Sequence, residues 1–207
     1  MALVKYNNNS ISAVTSASSI PSGALTHIKT LTASSSATLS FVHGTDGVVL
    51  DSTYPIYKFE FINIQPTTND VIHQFNLSTD SGSNYNVTKT SSVLFTAHNE
   101  GDSATYLDYD TNQDLAQSTG EQEISDNTGN DADQNLCGTL ELFSPSSTTF
   151  VKHFICKVNN MQYHDYMRCD FTAGYGNTQS AVNAIRFKFS SGNIDAGKIK
   201  LYGIKDS

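Results

Sequence analysis

The densest run of side chains able to do chemistry is Asp108-Tyr109-Asp110-Thr111-Asn112-Gln113-Asp114. Asp108, Asp110, Asn112 and Asp114 place an oxygen at every second position. Hard cations such as calcium take about six to eight oxygen ligands, and this spacing resembles the opening of an EF-hand loop. The match then fails. Gln113 stands where that loop needs glycine, and Thr119 where it needs a bidentate glutamate. The four residues are a candidate for a weak calcium site, weighed against a plain solvated acidic loop, which the failed match favours. Asp126, Asn130, Asp131 and Asp133 form a second cluster of the same kind.

Other chemistry is sparse. His153, Cys156, His164 and Cys169 are zinc-ligand types, but His153 and Cys156 are an odd number apart and face opposite sides of a regular strand. There is no G-x-S-x-G, H-E-x-x-H, S-x-x-K or glycine-rich phosphate loop, so no catalytic residue is assigned. Carboxylates in an acidic surface loop do not make the opposed pair of a glycosidase, so a hydrolase is the weakest reading. Sugar binding rests on tyrosine. The chain has ten tyrosines and no tryptophan. Tyr106 and Tyr109 lie in the acidic stretch, and Tyr175 is read as a turn residue within Gly174-Tyr175-Gly176-Asn177. These three are the candidate glycan contacts, and loop-anchoring tyrosines packed on the sandwich are the plainer alternative.

These residues sit in a chain that is polar mainly through neutral groups. Ser, Thr and Asn number 26, 22 and 18, whereas charged residues are only 15% of the 207. The net charge of -8 argues against a nucleic-acid surface built on phosphate contacts. No stretch approaches the roughly 18 apolar residues of a membrane span. The opening MALVKYNNNS carries no apolar h-region, so Sec export is not expected. Three cysteines alternate with apolar residues in Phe154-Cys156-Val158 and Met167-Cys169-Phe171, which reads as small buried hydrophobes.

The positioning elements are strands. From about residue 25, short runs of Thr, Val, Ile, Phe and Tyr alternate with turn residues. Strands are predicted over 25–32, 37–43, 56–64, 71–78, 84–96, 136–143, 149–158, 164–172, 182–190 and 197–204. In Ile185-Arg186-Phe187-Lys188-Phe189 the apolar side chains share one face. Tyr57-Lys58-Phe59-Glu60-Phe61 does the same, then shifts phase at Ile62 and Ile64, which predicts a bulge. Ser190–Gly197 reads as a loop joining two antiparallel strands. The expectation is an all-β, two-sheet antiparallel sandwich, jelly-roll-like, over residues 25–207. Residues 1–24 read as an extended N-terminal arm. Leu3, Val4, Tyr6, Ile11, Val14 and Ile20 are its only sizeable apolar anchors for a partner. Between Lys89 and Lys152 there is no Lys or Arg, and 11 of the 20 acids fall there. Most lie in one long insertion, about 97–135, whose charges are expected to push it outward.

The C-terminal run Ile185 to Ile204, closing in Leu201-Tyr202-Gly203-Ile204, and the upstream Tyr54 to Pro66 are similar to segments of virion proteins of tailed bacteriophages, notably marine and cyanobacterial ones. The resemblance spans about residues 50–204 without the acidic insertion. It implies an all-β particle component, with no catalytic residue. On that footing the chain is expected to be made in a host cytoplasm. It would then join the virion exterior, as capsid decoration or cement or as a tail-associated part. Its partners would be other virion proteins and copies of itself, three being usual for spikes and fibres. The alternative is a receptor- or glycan-binding module of a tail fibre, meeting host-surface glycan.

Overall fold

A computed structural model describes residues 24–205. The proposed arm anchors Leu3 to Ile20 lie outside the described residues. Among those described, twelve strands and no helix form: β1 (Leu25–Thr32), β2 (Leu39–Val42), β3 (Ile56–Pro66), β4 (His73–Ser78), β5 (Lys89–Asn99) and β6 (Thr105–Tyr109), followed by β7 (Gln122–Glu123), β8 (Leu136–Phe143), β9 (Lys152–Met161), β10 (Tyr166–Gly176), β11 (Ala184–Phe189) and β12 (Ile194–Ile204).

They build two antiparallel sheets. The larger has the order β1-β12-β3-β8-β9-β10-β5-β6, and the smaller β2-β11-β4-β7. β1, β12, β3 and β8 in one layer answer β2, β11, β4 and β7 in the other. The chain crosses between layers at each successive one of these eight strands except β4 to β7. That is the jelly-roll-like wiring of a sandwich. The two hairpins β5–β6 and β9–β10 are insertions in this circuit. They pair with each other and extend the larger sheet by four strands.

The core follows from alternation. On β9 every second residue from Lys152 to Asn160 is buried and the others are exposed. On β11, Ile185, Phe187 and Phe189 are buried and Arg186 and Lys188 are only partly so. Phe187 meets Phe59 and Phe61 across the layers, with ring centroids 5.4 and 5.2 Å apart, and Phe75 meets Phe154 at 5.1 Å. These aromatic pairs lock sheet to sheet.

The phase shift in β3 is a bulge. Pairing with β8 slips between Phe61 and Ile64, and Asn63 takes φ 51°. Gly197 on β12 packs opposite at φ 108°, where a Cβ would lie 2.4 Å from the Asn63 carbonyl oxygen. Only glycine fits both conditions. The Ser190–Gly197 segment is not the connection of a hairpin. β11 and β12 lie in different sheets, and β12 already begins at Ile194, which is fully buried. An apolar residue inside the run of turn residues pulls the strand start forward.

One reading is inverted. Met167, Cys169 and Phe171 on β10 were expected to face the core. Instead Arg168, Asp170 and Thr172 are buried, and Met167 and Phe171 are 43% and 45% exposed. Of the three free cysteines, Cys156 is buried, Cys169 half-buried and Cys137 exposed. Cys137 lies on the outer face, with Sγ near the side-chain oxygens of Asn63 and Asn135.

His73 sits among Phe61, Phe187 and Phe189, fully buried, with neither ring nitrogen hydrogen-bonded. Burial drives its pKa down from 6.5 to about 3. The unfolded chain takes up this proton below about pH 6.5, whereas the folded chain stays neutral. His73 therefore destabilises the fold as the pH falls through that window. His73→Phe keeps the ring and removes the proton. Its unfolding free energy between about pH 4 and 6 should lose one proton's worth of slope relative to the parent, about 1.4 kcal/mol per pH unit. Denaturant titrations across that range measure the difference, and parallel curves would assign His73 no such role.

Candidate functional site: the Arg168 cluster and its aromatic rim

The acidic insertion does not project as a whole. The β5–β6 turn and β6 itself are exposed, but the return leg from Asp110 to Thr128 is tied down: Leu115 and Ser118 bond Ser91 and Lys89 along the edge of β5 beyond β6, and Gln113 and the stretch from Gln122 to Thr128 turn in beneath β10. Gln113, Gln122, Ile124, Ser125 and Thr128 are buried there. Self-repulsion is overcome because both arginines of the chain are spent on this segment. Arg168 Nη2 donates to Asp110 Oδ2 at 2.7 Å, Nη1 to Asp126 Oδ2 at 3.1 Å and Nε to Asp170 Oδ1 at 2.8 Å. Its guanidinium stacks on Phe95, 3.9 Å from the ring centroid. Arg186 pairs with Glu121 and lies 4.4 Å from the ring centroid of Tyr85.

Neutral hydrogen bonds complete the attachment. Gln113 Nε2 donates to the Ser125 carbonyl, and Gln122 Nε2 to that of Gln113. Asn160 and Gln162 both donate to the Asp126 carbonyl. β7 joins β4 through Gln74↔Glu123 and Phe75↔Gln122. Burial raises the pKa of Asp126 against the pull of Arg168, and lifts Asp170 to about 7. Asp170 Oδ2 and Thr172 Oγ1, both buried, have no hydrogen-bond partner. Arg168 is only 5% exposed, and the surrounding carboxylates hold its pKa above the ordinary value against the effect of burial.

This geometry disperses the proposed calcium ligands. Asp110 is committed to Arg168, and its Oδ1 accepts from the Asn112 amide at 3.0 Å. Asp114 accepts from the Tyr109 hydroxyl at 2.7 Å. Asp108 lies on β6. Among the described residues no three His, Cys, Asp or Glu side chains gather as a metal site, so His153, Cys156, His164 and Cys169 do not form one either.

The candidate glycan tyrosines are not brought together. Tyr106 and Tyr109 are three apart on β6 and face opposite sides of the sheet. Tyr175 lies within β10, not on a turn. It stands on the outer face against His153, ring centroids 6.0 Å apart. Tyr106 alone enters a larger arrangement. Its ring lies 6.3 Å from Tyr166, Tyr166 lies 4.8 Å from His164, and His164 lies 4.5 Å from Tyr163. The β9–β10 turn supplies Tyr163 and His164. Three rings of this row, Tyr106, Tyr166 and His164, border a depression of about 280 Å³ that Arg168, Asp126, Asn127 and Gln162 also line, and Tyr163 stands beyond it. Ring faces beside amides and a carboxylate suit a ligand with apolar faces and hydroxyl edges. The signal in the sequence was Tyr163-His164-Asp165-Tyr166, three aromatic rings within four residues.

Searches against protein-family models, curated proteins and solved structures found no match to this chain.

Replacing Arg168 by Met removes the countercharge from Asp170 and Asp126 while keeping bulk. The expected cost is about 3–5 kcal/mol, as for other broken buried pairs. Arg168→Lys should not restore it, since one ammonium cannot reproduce a fork that reaches three carboxylates. Hydrogen exchange should then show residues 110–128 loosening before the β3, β11 and β12 core. Uniform loosening would mean the cluster does not pin the return leg in particular.

Proposed function

We propose that this chain is a non-enzymatic structural protein on the exterior of a tailed-phage virion, acting by association and not by making or breaking bonds. The observation that carries this reading is the inside-out β10. Its polar side chains are buried, so Met167 and Phe171 stand exposed on the outer face of the extended sheet, where Leu94 of β5 lies opposite Phe171 and Ile155 projects from β9. Exposed apolar groups gathered on one face mark an interaction surface, and Lys157, whose Nζ lies 5.1 Å from the Phe171 ring centroid, adds a cation to it. Jelly-roll sandwiches serve in viral capsids. The segments around Tyr54–Pro66 and Ile185–Ile204 resemble tailed-phage virion proteins. A surface rich in Ser, Thr and Asn and poor in Lys suits a long-lived exposed particle. In this reading Leu3, Val4, Tyr6, Ile11, Val14 and Ile20 grip a neighbouring subunit. Mass spectrometry of purified particles should find the chain, and deleting residues 1–24 should leave a folded, soluble sandwich that no longer joins them. Normal incorporation of the truncated chain would refute the tether, and absence from particles would refute the virion role.

A second reading is favoured by the aromatic row. The same domain would bind host-surface glycan through Tyr106, Tyr166 and His164, with Asp126 and Gln162 contacting hydroxyls. Losing one stacked ring is worth about 1 kcal/mol. On a glycan array, Tyr166→Ala should therefore weaken binding by a factor of about 5, while Tyr175→Ala leaves it unchanged. Equal loss from both variants would place the contact elsewhere.

A further inference from the structure

The larger sheet has two outer edges, β1 and β6, and they are built differently. β1 carries a register shift between His27 and Lys29 and displays Lys29, whose Nζ donates to the Asp46 carbonyl at 3.0 Å. A bulge and a lysine are the usual protections of a free edge against pairing with another chain. β6 has neither. Thr105-Tyr106-Leu107-Asp108-Tyr109 pairs with β5 in unbroken register, holds no lysine or proline, and is exposed at every residue. Leu107 is 74% exposed.

The ladder fixes which amides are free. The Asp110 amide donates to the Val93 carbonyl, and the Asn99 amide to that of Ala104. Antiparallel pairs alternate, so residues 104, 106, 108 and 110 turn their backbone groups to β5. Thr105, Leu107 and Tyr109 turn theirs away, and among the described residues no strand receives them.

We propose that β6 pairs antiparallel with β6 of a second copy about a two-fold axis at Leu107, joining the two larger sheets into one. This deepens, and rests on, the reading that the chain works by association with itself. The edge is self-complementary. Leu107 meets Leu107, Thr105 meets Tyr109, and Tyr106 meets Asp108, so no like charges stand directly opposite. Thr105, Leu107 and Tyr109 then exchange all their free amides and carbonyls with the partner strand. An isologous contact of this kind closes at two. It sets the outward apolar faces bearing Leu94 and Phe171 side by side for a further partner.

Sedimentation equilibrium of the full chain tests this. The expected result is a monomer–dimer equilibrium. Leu107→Pro removes an amide that β5 does not use, so it should weaken the dimer by about tenfold or more while circular dichroism and melting are kept. Leu107→Cys, in a Cys137→Ser background, should give a covalent dimer on mild oxidation. Opposed residues of a hydrogen-bonded pair have Cα atoms about 5.5 Å apart, within disulfide reach. If the proline variant fails to fold, the cysteine variant decides alone. A dimer that neither crosslinks through Leu107→Cys nor weakens in the proline variant overturns the surface but leaves self-association standing. A wild-type chain that is monomeric throughout, or purely trimeric, overturns the pairing itself. Recovery of the chain in particles is measured separately and decides the virion reading.

Discussion

Burying Arg168 sets the character of half this molecule. A guanidinium out of water needs partners on every side, and here three carboxylates and a phenyl ring supply them. Two of the carboxylates, Asp110 and Asp126, come from the return leg of the insertion. Meeting the demands of Arg168 therefore means folding that leg down over β10 and β5. In exchange β10 gives its polar side to the interior, and strand alternation sends Met167, Cys169 and Phe171 outward. The covered inner face, the exposed apolar outer face and the depression beside Tyr106 and Tyr166 are consequences of one side chain's phase.

The eight-strand circuit around Phe59, Phe61, Phe75 and Phe187 has a different logic. It closes by apolar contact between layers, and the cluster touches it only through β7, which lies within the pinned return leg. The two added hairpins extend only the larger sheet. The smaller sheet still reaches β9, where Phe154 packs on Phe75, but the inner face of β10 around Arg168 is met by the return leg. An acidic segment cannot cover an apolar face well, but it can cover one that presents arginine. The polar inner side of β10 and the acidity of the insertion are two halves of one fit.

This explains what could be read in advance. Strand β8 was legible to the residue, and β3, β9 and β11 nearly so, because their alternation puts apolar groups on the face that is buried; β1 was legible from its run of Thr, Ile and Leu, although none of its residues is buried. The bulge at Ile62–Asn63 was legible as a break in that alternation. β10 alternates just as cleanly as the others, yet its phase depends on Asp110 and Asp126, which are 58 and 42 residues away from Arg168. No local pattern carries that information. β6 and β7 were missed for a related reason. Asp108, Glu121 and Glu123 make the stretch look like solvated loop, while its pairing partners lie on β5 and β4. Tyr175 looked like a turn residue because two glycines flank it. Gly174 is there instead for close approach, since a Cβ would come within 2.8 Å of the Phe154 ring and closer still to the Thr90 carbonyl.

The same long-range bookkeeping applies to the cations. Among the described basic residues, Arg168, Lys89 and Lys152 are buried, and Arg186 is one of several partly so. Lys89 donates to the Asn76 side chain at 2.6 Å and to the Val87 carbonyl at 2.9 Å, and burial lowers its pKa to about 8. Lys152 donates to the carbonyls of Phe150 and Thr178. Both lysines pair in register with Gly176, so they flank it at one end of β10 while Arg168 occupies the other. A chain with so few cations places three of them beneath the extension, where each satisfies buried or partly buried oxygens. Asp110, Asp126 and Asp170 are drawn in with these three cations, so the formal charge of -8 is left to the outer surface. Electrostatic repulsion between copies follows from that distribution. Any face that associates must be one where acids are sparse or interleaved with neutral groups, as on β6 and on the Leu94–Phe171 surface beside it.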